Sequence, residues 1–233
     1  MRGLSDAHHF RKMVAGTCMV LGSLLVLAAA IVQPDPKMDE AGQLAVVADH
    51  LDAWYASQLI GLIAIALFVP AVLGLMHMLR EREVAWGHIG GGLAMLGLLA
   101  YTGITTMGLV QWQMASAGDG GQMTALLERM NETEGFFAPF AIGAVAFAVG
   151  MICLAVGLYR ARAVQSWMAI AVAVAATCIV VAGFTASALV FIVGAAFLVV
   201  GMGSIGRMIL SEPDADWEHT PEYKGFRSLA GMR

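Results

Sequence analysis

Three polar or aromatic side chains recur at four-residue spacing where the chain enters its second long apolar stretch. They are His50, Trp54 and Gln58, and this spacing places them on one face of a helix. An imidazole, an indole N–H and a carboxamide on one face could bind a small polar ligand or a lipid headgroup. The alternative is an aromatic belt, with Trp54 and Tyr55 at a membrane interface and the other residues simply exposed there.

A second polar set, Thr102, Thr106 and Gln111, lies in the third apolar stretch. Threonine hydroxyls can donate to carbonyls of their own helix or to a neighbouring membrane helix. We expect helix packing as the first role of these threonines and cavity lining as the second. Gln58 and Gln111 could also pair across two helices. The candidate ligand-binding residues are therefore His50, Trp54, Gln58, Thr102, Thr106 and Gln111.

Two histidines, His77 and His88, flank the short loop between the second and third apolar stretches. Because imidazole binds haem iron and transition metals, a site that bridged them would indicate a redox protein. We expect instead two interfacial histidines beside a basic loop, with no metal and no cofactor. The sequence assigns no catalytic residue and lacks the HExxH motif of metalloproteases, so it favours a non-enzymatic protein.

The elements that must position these residues are membrane helices. Of the 233 residues, 59% are hydrophobic and only 13% are charged, whereas soluble domains carry about 25% charged residues. So few charges cannot coat a water-soluble globule, so lipid must solvate much of the chain. A helix needs about 20 apolar residues to cross the hydrocarbon core. Uncharged stretches of this length occur at residues 13–32, 53–76, 89–110, 138–158 and 168–206.

The last stretch is long enough for two helices, and we expect it to turn at residues 183–187. The sequence therefore predicts an all-α bundle of six transmembrane helices within residues 1–210. The predicted hairpins span residues 13–80, 88–160 and 167–208. Residues 211–233 are predicted to form a cytoplasmic tail with three aromatic side chains, which could dock on the bundle or on a partner. These are Trp217, Tyr223 and Phe226.

Lysine and arginine are concentrated on one side of the predicted bundle. All 13 of these residues except Lys37 and Arg129 fall on that side. By the positive-inside rule it is the cytoplasmic side, so we expect both termini in the cytoplasm and the bundle in a bacterial plasma membrane.

Two loop segments on the opposite side have similar amphipathic patterns, and each leads into an apolar stretch. Residues 42–52 and 121–131 both begin with Gly-Gln and continue with helical periodicity. We interpret the first two hairpins as copies of one unit that includes a short outer helix, and the third hairpin as lacking that helix. The alternative is convergence, since membrane hairpins often end in arginine and tryptophan.

The turns on the basic side carry a resemblance to known proteins. They comprise residues 68–75 (FVPAVLGL), followed by Arg80-Glu81-Arg82, and residues 155–164 (AVGLYRARAV). In these segments, and in its hydropathy and loop spacing over most of the chain, the sequence resembles a group of uncharacterised six-helix membrane proteins common in actinobacteria. The resemblance implies a multi-pass membrane fold, but it implies no known activity and assigns no functional residue.

The middle of every predicted span lacks Asp, Glu, Lys, Arg and His. Ion-coupled transporters, proton pumps and voltage sensors handle charge at that depth, so this composition argues against all three classes. Small residues, including Gly90, Ala144, Ala148 and Gly150, could let helices of this bundle or of a partner protein approach closely.

We therefore rank first a non-enzymatic accessory bundle that binds a membrane protein partner or forms homo-oligomers. The first alternative is a transporter or channel for a small uncharged or lipid-like molecule. The second alternative is a haem- or metal-binding redox protein. The sequence has no basic stripe of the kind that binds nucleic acid, so the expected surroundings are the lipid bilayer and other membrane components.

Overall fold

The computed structural model of the protein describes residues 2–118, 120–133, 135, 137–213 and 217. These residues form helices joined by short turns and contain no strand. The helices are α1 (Arg2–Val32), α2 (Glu40–Asp49), α3 (Leu51–Met78), α4 (Val84–Ser116), α5 (Gly120–Glu132), α6 (Ala138–Arg160), α7 (Ser166–Thr185), α8 (Ala188–Leu198) and α9 (Ser204–Ser211). A π-helical turn, Val199–Gly203, joins α8 to α9 in one continuous helix.

Six helices within the described part of the chain are long and apolar enough to cross a membrane, which confirms the predicted all-α fold with six spans. The last long apolar stretch divides into two of them. Ala186 ends α7 in the left-handed conformation (φ 48°), and the Ser187 hydroxyl caps α8 by accepting the Val190 N–H at 3.4 Å. The predicted turn at residues 183–187 is therefore a tight one, centred on its last two residues.

The six spans form a ring in which each span packs mainly on two neighbours, and α3 also contacts α6. Around the ring, α1 packs on α3, α3 on α4, α4 on α6, α6 on α7, α7 on α8, and the α8–α9 helix packs back on α1. Successive neighbours run antiparallel, so the turns after α3 and α6 lie at one end, which we call the basic end. The arginines there are Arg80, Arg82, Arg160 and Arg162. The opposite end, which carries α2 and α5, we call the open end.

Glycines hold neighbouring helices close together around this ring. Gly97 of α4 lies so close to the backbone of Phe147 on α6 that an added Cβ would overlap it. Gly90 and Gly150 bring the same two helices together nearer the basic end, and Gly206 of α9 lies against the backbone of α1. At these positions the small-residue faces are therefore occupied by helices of the same chain.

The apolar core fills the basic half of the ring. Its largest fully buried side chains include Met19, Leu75, Met78, Met151, Leu154, Leu158, Leu198, Met202, Ile205 and Ile209. Trp217 of the predicted tail, only 3% exposed, belongs to the same core. The rest of the tail beyond residue 213, including Tyr223 and Phe226, lies outside the described residues.

Candidate functional site: a cavity at the open end

The open half of the ring encloses a cavity of about 640 Å³, within the range of about 300–1,000 Å³ that is typical of ligand sites. The loop before α2, residues 33–39, borders its mouth, and α3, α4, α6, α7 and α8 contribute its walls. Tyr101, Ala144 and Ile179 line it toward the middle of the bundle. The cavity therefore reaches from the open end to about the middle of α4.

The short helices α2 and α5 form a layer over this end of the bundle. Leu44 of α2 packs with Met114 of α4 and Leu127 of α5 in a small apolar cluster of their own. The Asn131 amide of α5 donates to the Glu40 carboxylate at the start of α2. Because Glu40, Leu127 and Asn131 also line the cavity, this layer shapes its mouth.

Trp54 links the two helices that carry the polar part of the wall. Its indole Nε1–H donates to the Gly108 carbonyl on α4 over 2.7 Å, and the side chain is 4% exposed. The Ser57 hydroxyl donates in turn to the Trp54 carbonyl at 2.7 Å. The only hydrogen-bond donor of the indole is thus already used, so Trp54 contributes shape rather than a free polar group.

Gln58 lies one turn deeper on α3 and is 8% exposed. Its Nε2 donates to the Ser57 hydroxyl over 3.4 Å, whereas no described residue donates to its Oε1. The amide lies against Gly108, where any Cβ would collide with it. The oxygen is not fully buried and remains accessible. Gln58 therefore offers a hydrogen-bond acceptor to a molecule in the cavity.

The structure pairs Gln111 with Gln43 of α2 rather than with Gln58. Gln43 Nε2 donates to Gln111 Oε1 over 3.3 Å, and Gln43 Oε1 accepts the Lys37 backbone N–H over 2.8 Å. No described residue accepts from Gln111 Nε2, which leaves a donor in the wall. Sequence reasoning missed Gln43, although its position four residues before Val47 on an amphipathic helix could have revealed its burial.

The other candidate residues lie outside the cavity wall. His50 is exposed at the junction of α2 and α3. Thr102 and Thr106 are exposed on another face of α4, and their hydroxyls donate to the carbonyls of Leu98 (2.9 Å) and Thr102 (2.7 Å). Thr105 is the threonine that lines the cavity. Of the six candidates, the structure brings together Trp54, Gln58 and Gln111; ligand binding by the set stays a prediction.

The two histidines proposed for a redox site have separate surroundings. The His77 ring stacks on Trp217 with centroids 4.8 Å apart, and its Nε2 contacts the Arg80 guanidinium. His88 is exposed, and its Nδ1 lies 2.9 Å from the Val84 carbonyl of its own helix. A neighbouring guanidinium repels a metal cation, so the geometry around His77 disfavours a metal site there.

Residues 2–118, 120–133, 135, 137–213 and 217 contain no group of three His, Cys, Asp or Glu side chains that could hold a metal ion.

No protein-family model matches the chain, and neither a curated protein nor a solved structure was found to be similar to it. The cavity is largely apolar and has a few fixed polar atoms, a composition that is typical of ligand sites in proteins.

Proposed function

We propose that this protein binds a small uncharged or lipid-like molecule in the open-end cavity and carries or presents it within the membrane. The cavity itself carries this proposal, because a bundle packed solid between α3 and α4 would leave such a molecule no site. Its volume of about 640 Å³ and its reach to Tyr101 suit a ligand that enters from the open end.

The charges at the mouth support an uncharged ligand, because each of them already has a protein partner. Lys37 pairs with Asp35 at 3.2 Å, and the Asp39 carboxylate caps α2 by accepting the Gly42 N–H at 2.7 Å. Asn131 bonds to Glu40, as described above. The described lining beyond the mouth is neutral, and a charged ligand there would be desolvated without a counter-charge.

The orientation of the chain in the membrane and the arrangement of its spans in hairpins are part of the same proposal. We place the basic end in the cytoplasm of a bacterial plasma membrane, with both termini on that side, because its turns carry most of the arginines. The spans then form three hairpins, α1–α3, α4–α6 and α7–α9, with α2 and α5 on the outer face. In this orientation the cavity opens toward the outer leaflet.

A matched pair of substitutions on α6 tests the proposal. Ala144 lines the cavity, whereas Val145 is 43% exposed and lies outside its wall. Ala144→Phe fills the cavity, and Val145→Phe adds an aromatic ring to the outer surface. The protein is extracted in mild detergent, and co-purifying small molecules are counted by native mass spectrometry and identified after solvent extraction.

We expect an apolar molecule to co-purify with the wild type and with Val145→Phe, and its occupancy to fall about tenfold in Ala144→Phe, as a loss of about 1.4 kcal/mol implies. Thermal unfolding verifies that each variant is folded, and Ala141→Leu offers a milder substitution in the same wall. Equal occupancy in both phenylalanine variants would refute the proposal, as would an unoccupied wild type.

Partner binding, the function ranked first from the sequence, stays a prediction with less structural support. Its positive arguments were the aromatic tail and a set of small-residue faces that could pack within this bundle or on a partner. Gly90, Gly97 and Gly150 instead close the contact between α4 and α6. The haem or metal alternative also loses ground, because His77 contacts Arg80 and Trp217 rather than His88.

A further inference from the structure

We infer that the cavity selects a single-chain amphiphile whose neutral head both donates and accepts hydrogen bonds, as a primary fatty amide or a monoacylglycerol does. This inference rests on the proposed function and adds the chemical class of the ligand. It is supported by the hydrogen bonds of the cavity wall, which show the polar atoms that the protein already uses and those that remain for a ligand.

Most of the polar wall atoms near the mouth are already engaged. The Trp54 indole donates to Gly108, Gln43 uses its amide oxygen and nitrogen on Lys37 and Gln111, and the Thr105 hydroxyl donates to the Tyr101 carbonyl at 2.8 Å. Within the described residues, the side chains of Gln33 at the mouth and Tyr101 at the lower end make no hydrogen bond, and two amide groups remain available between them. They are the acceptor Gln58 Oε1 and the donor Gln111 Nε2.

These two groups lie near one another across α3 and α4. The Gln58 amide lies against Gly108, and Gln111 follows Gly108 by three residues on the same helix. Three residues correspond to about 4.5 Å of helical rise, which a small head such as a carboxamide or a glycerol can bridge. A carboxylate or an ammonium head satisfies only one of the two groups, and the charged residues of the wall, Lys37, Asp39 and Glu40, are already engaged with other protein groups.

The rest of the wall fits an elongated apolar chain. From Gln111 to Tyr101, α4 descends ten residues, or about 15 Å. Along this length the lining is mostly apolar and includes Met107, Ile104 and Phe140, while the Thr105 hydroxyl bonds to its own helix and the Tyr101 hydroxyl lies at the lower end. A compact solute would leave the lower part of such a site unfilled, whereas one acyl chain follows it toward the core.

A series of probes with the same dodecyl-length chain and different heads tests the inference. Dodecanamide and monolaurin represent the neutral donor–acceptor class, and dodecanoate and dodecylammonium supply the two charged heads. Each is titrated into the protein in nanodiscs of zwitterionic phospholipid, and bound probes are counted by native mass spectrometry. Gln58→Leu, Gln111→Leu and the double variant remove the two free groups, and the exposed Gln113→Leu is the matched control.

We expect both neutral probes to bind the wild type and Gln113→Leu at least about tenfold more tightly than either charged probe. The double variant should lose this preference, and each single variant should lose part of it. If the double variant does not fold, the partial loss of preference in the single variants tests the inference. Head-independent binding that Ala144→Phe still abolishes would overturn the inference and leave the proposed function intact. Binding of no probe to any form, together with an unoccupied wild type, would overturn both.

Discussion

The indole of Trp54 joins α3 to α4 while forming part of the cavity wall. Its N–H is satisfied by the Gly108 carbonyl, and the Gln58 amide below it keeps an oxygen to which no described residue donates. The predicted face of His50, Trp54 and Gln58 thus divides into three roles along two helical turns: an exposed side chain at the surface, an interhelical bond and a free acceptor.

The bond from Trp54 to Gly108 leads to a stability prediction. Trp54→Phe removes the donor and part of a buried ring, and we expect a loss of about 1–2 kcal/mol of unfolding free energy. Trp112→Phe is the control, because the Trp112 indole N–H donates to no described residue and its ring stacks on Tyr55, with centroids 4.7 Å apart, a contact that phenylalanine keeps. The unfolding free energies of both variants are measured in mixed detergent micelles. Equal losses would show that the indole N–H bond contributes nothing specific.

At the scale of helices, the contact between α4 and α6 depends on the absence of a side chain at Gly97. A Cβ there would meet the backbone of Phe147, which cannot move aside as a flexible side chain can. We expect Gly97→Ala to separate the helices and to lower the unfolding free energy by about 1–3 kcal/mol.

Gly92 provides the comparison on the same helix, because it is exposed and nothing lies within 4 Å of its added Cβ. Gly92→Ala should be neutral or stabilising by up to about 1 kcal/mol, since alanine favours the helix. Measurements of the two variants under the same detergent conditions separate packing from helix propensity. If Gly97→Ala were as stable as Gly92→Ala, the close contact would not exist.

The spans could be predicted from the sequence because uncharged runs of sufficient length have few alternatives in a bilayer. The exact length of α4 could not be predicted in this way. Its apolar run ends at residue 110, but the helix continues to Ser116 and measures about 50 Å. The extension packs through Met114 against Leu44 of α2, a tertiary contact that no pattern within α4 reveals.

The sequence also did not indicate which face of each helix points into the bundle. In α4, apolar residues occur on all sides: Leu98 is buried, whereas Leu96 and Leu99 are exposed. Without a polar face to mark the outside, spacing could not decide between Thr102 and Thr105 as the cavity-lining threonine. Trp54 and Gln58 were identified correctly as neighbours, because their four-residue spacing constrains them whichever face is buried.

Across the whole molecule, packing is divided between the two ends of the ring. The largest buried side chains and Trp217 fill the basic half, whereas the open half contains the cavity beneath α2 and α5. For the ligand that we propose, this division provides an entrance at the open end and a packed support below it. The side of the membrane that this entrance faces then decides which leaflet or compartment supplies the ligand.

Cysteine labelling determines that side. Lys37 and Arg82 are both exposed, at the open and basic ends respectively, and the three native cysteines, Cys18, Cys153 and Cys178, lie within spans and can be replaced by alanine. In intact cells, a membrane-impermeant maleimide should label Lys37→Cys at once and Arg82→Cys only after permeabilisation, because arginine-rich turns stay in the cytoplasm. The reverse pattern would turn the cavity toward the cytoplasm, and the ligand would have to come from the inner leaflet or the cell interior.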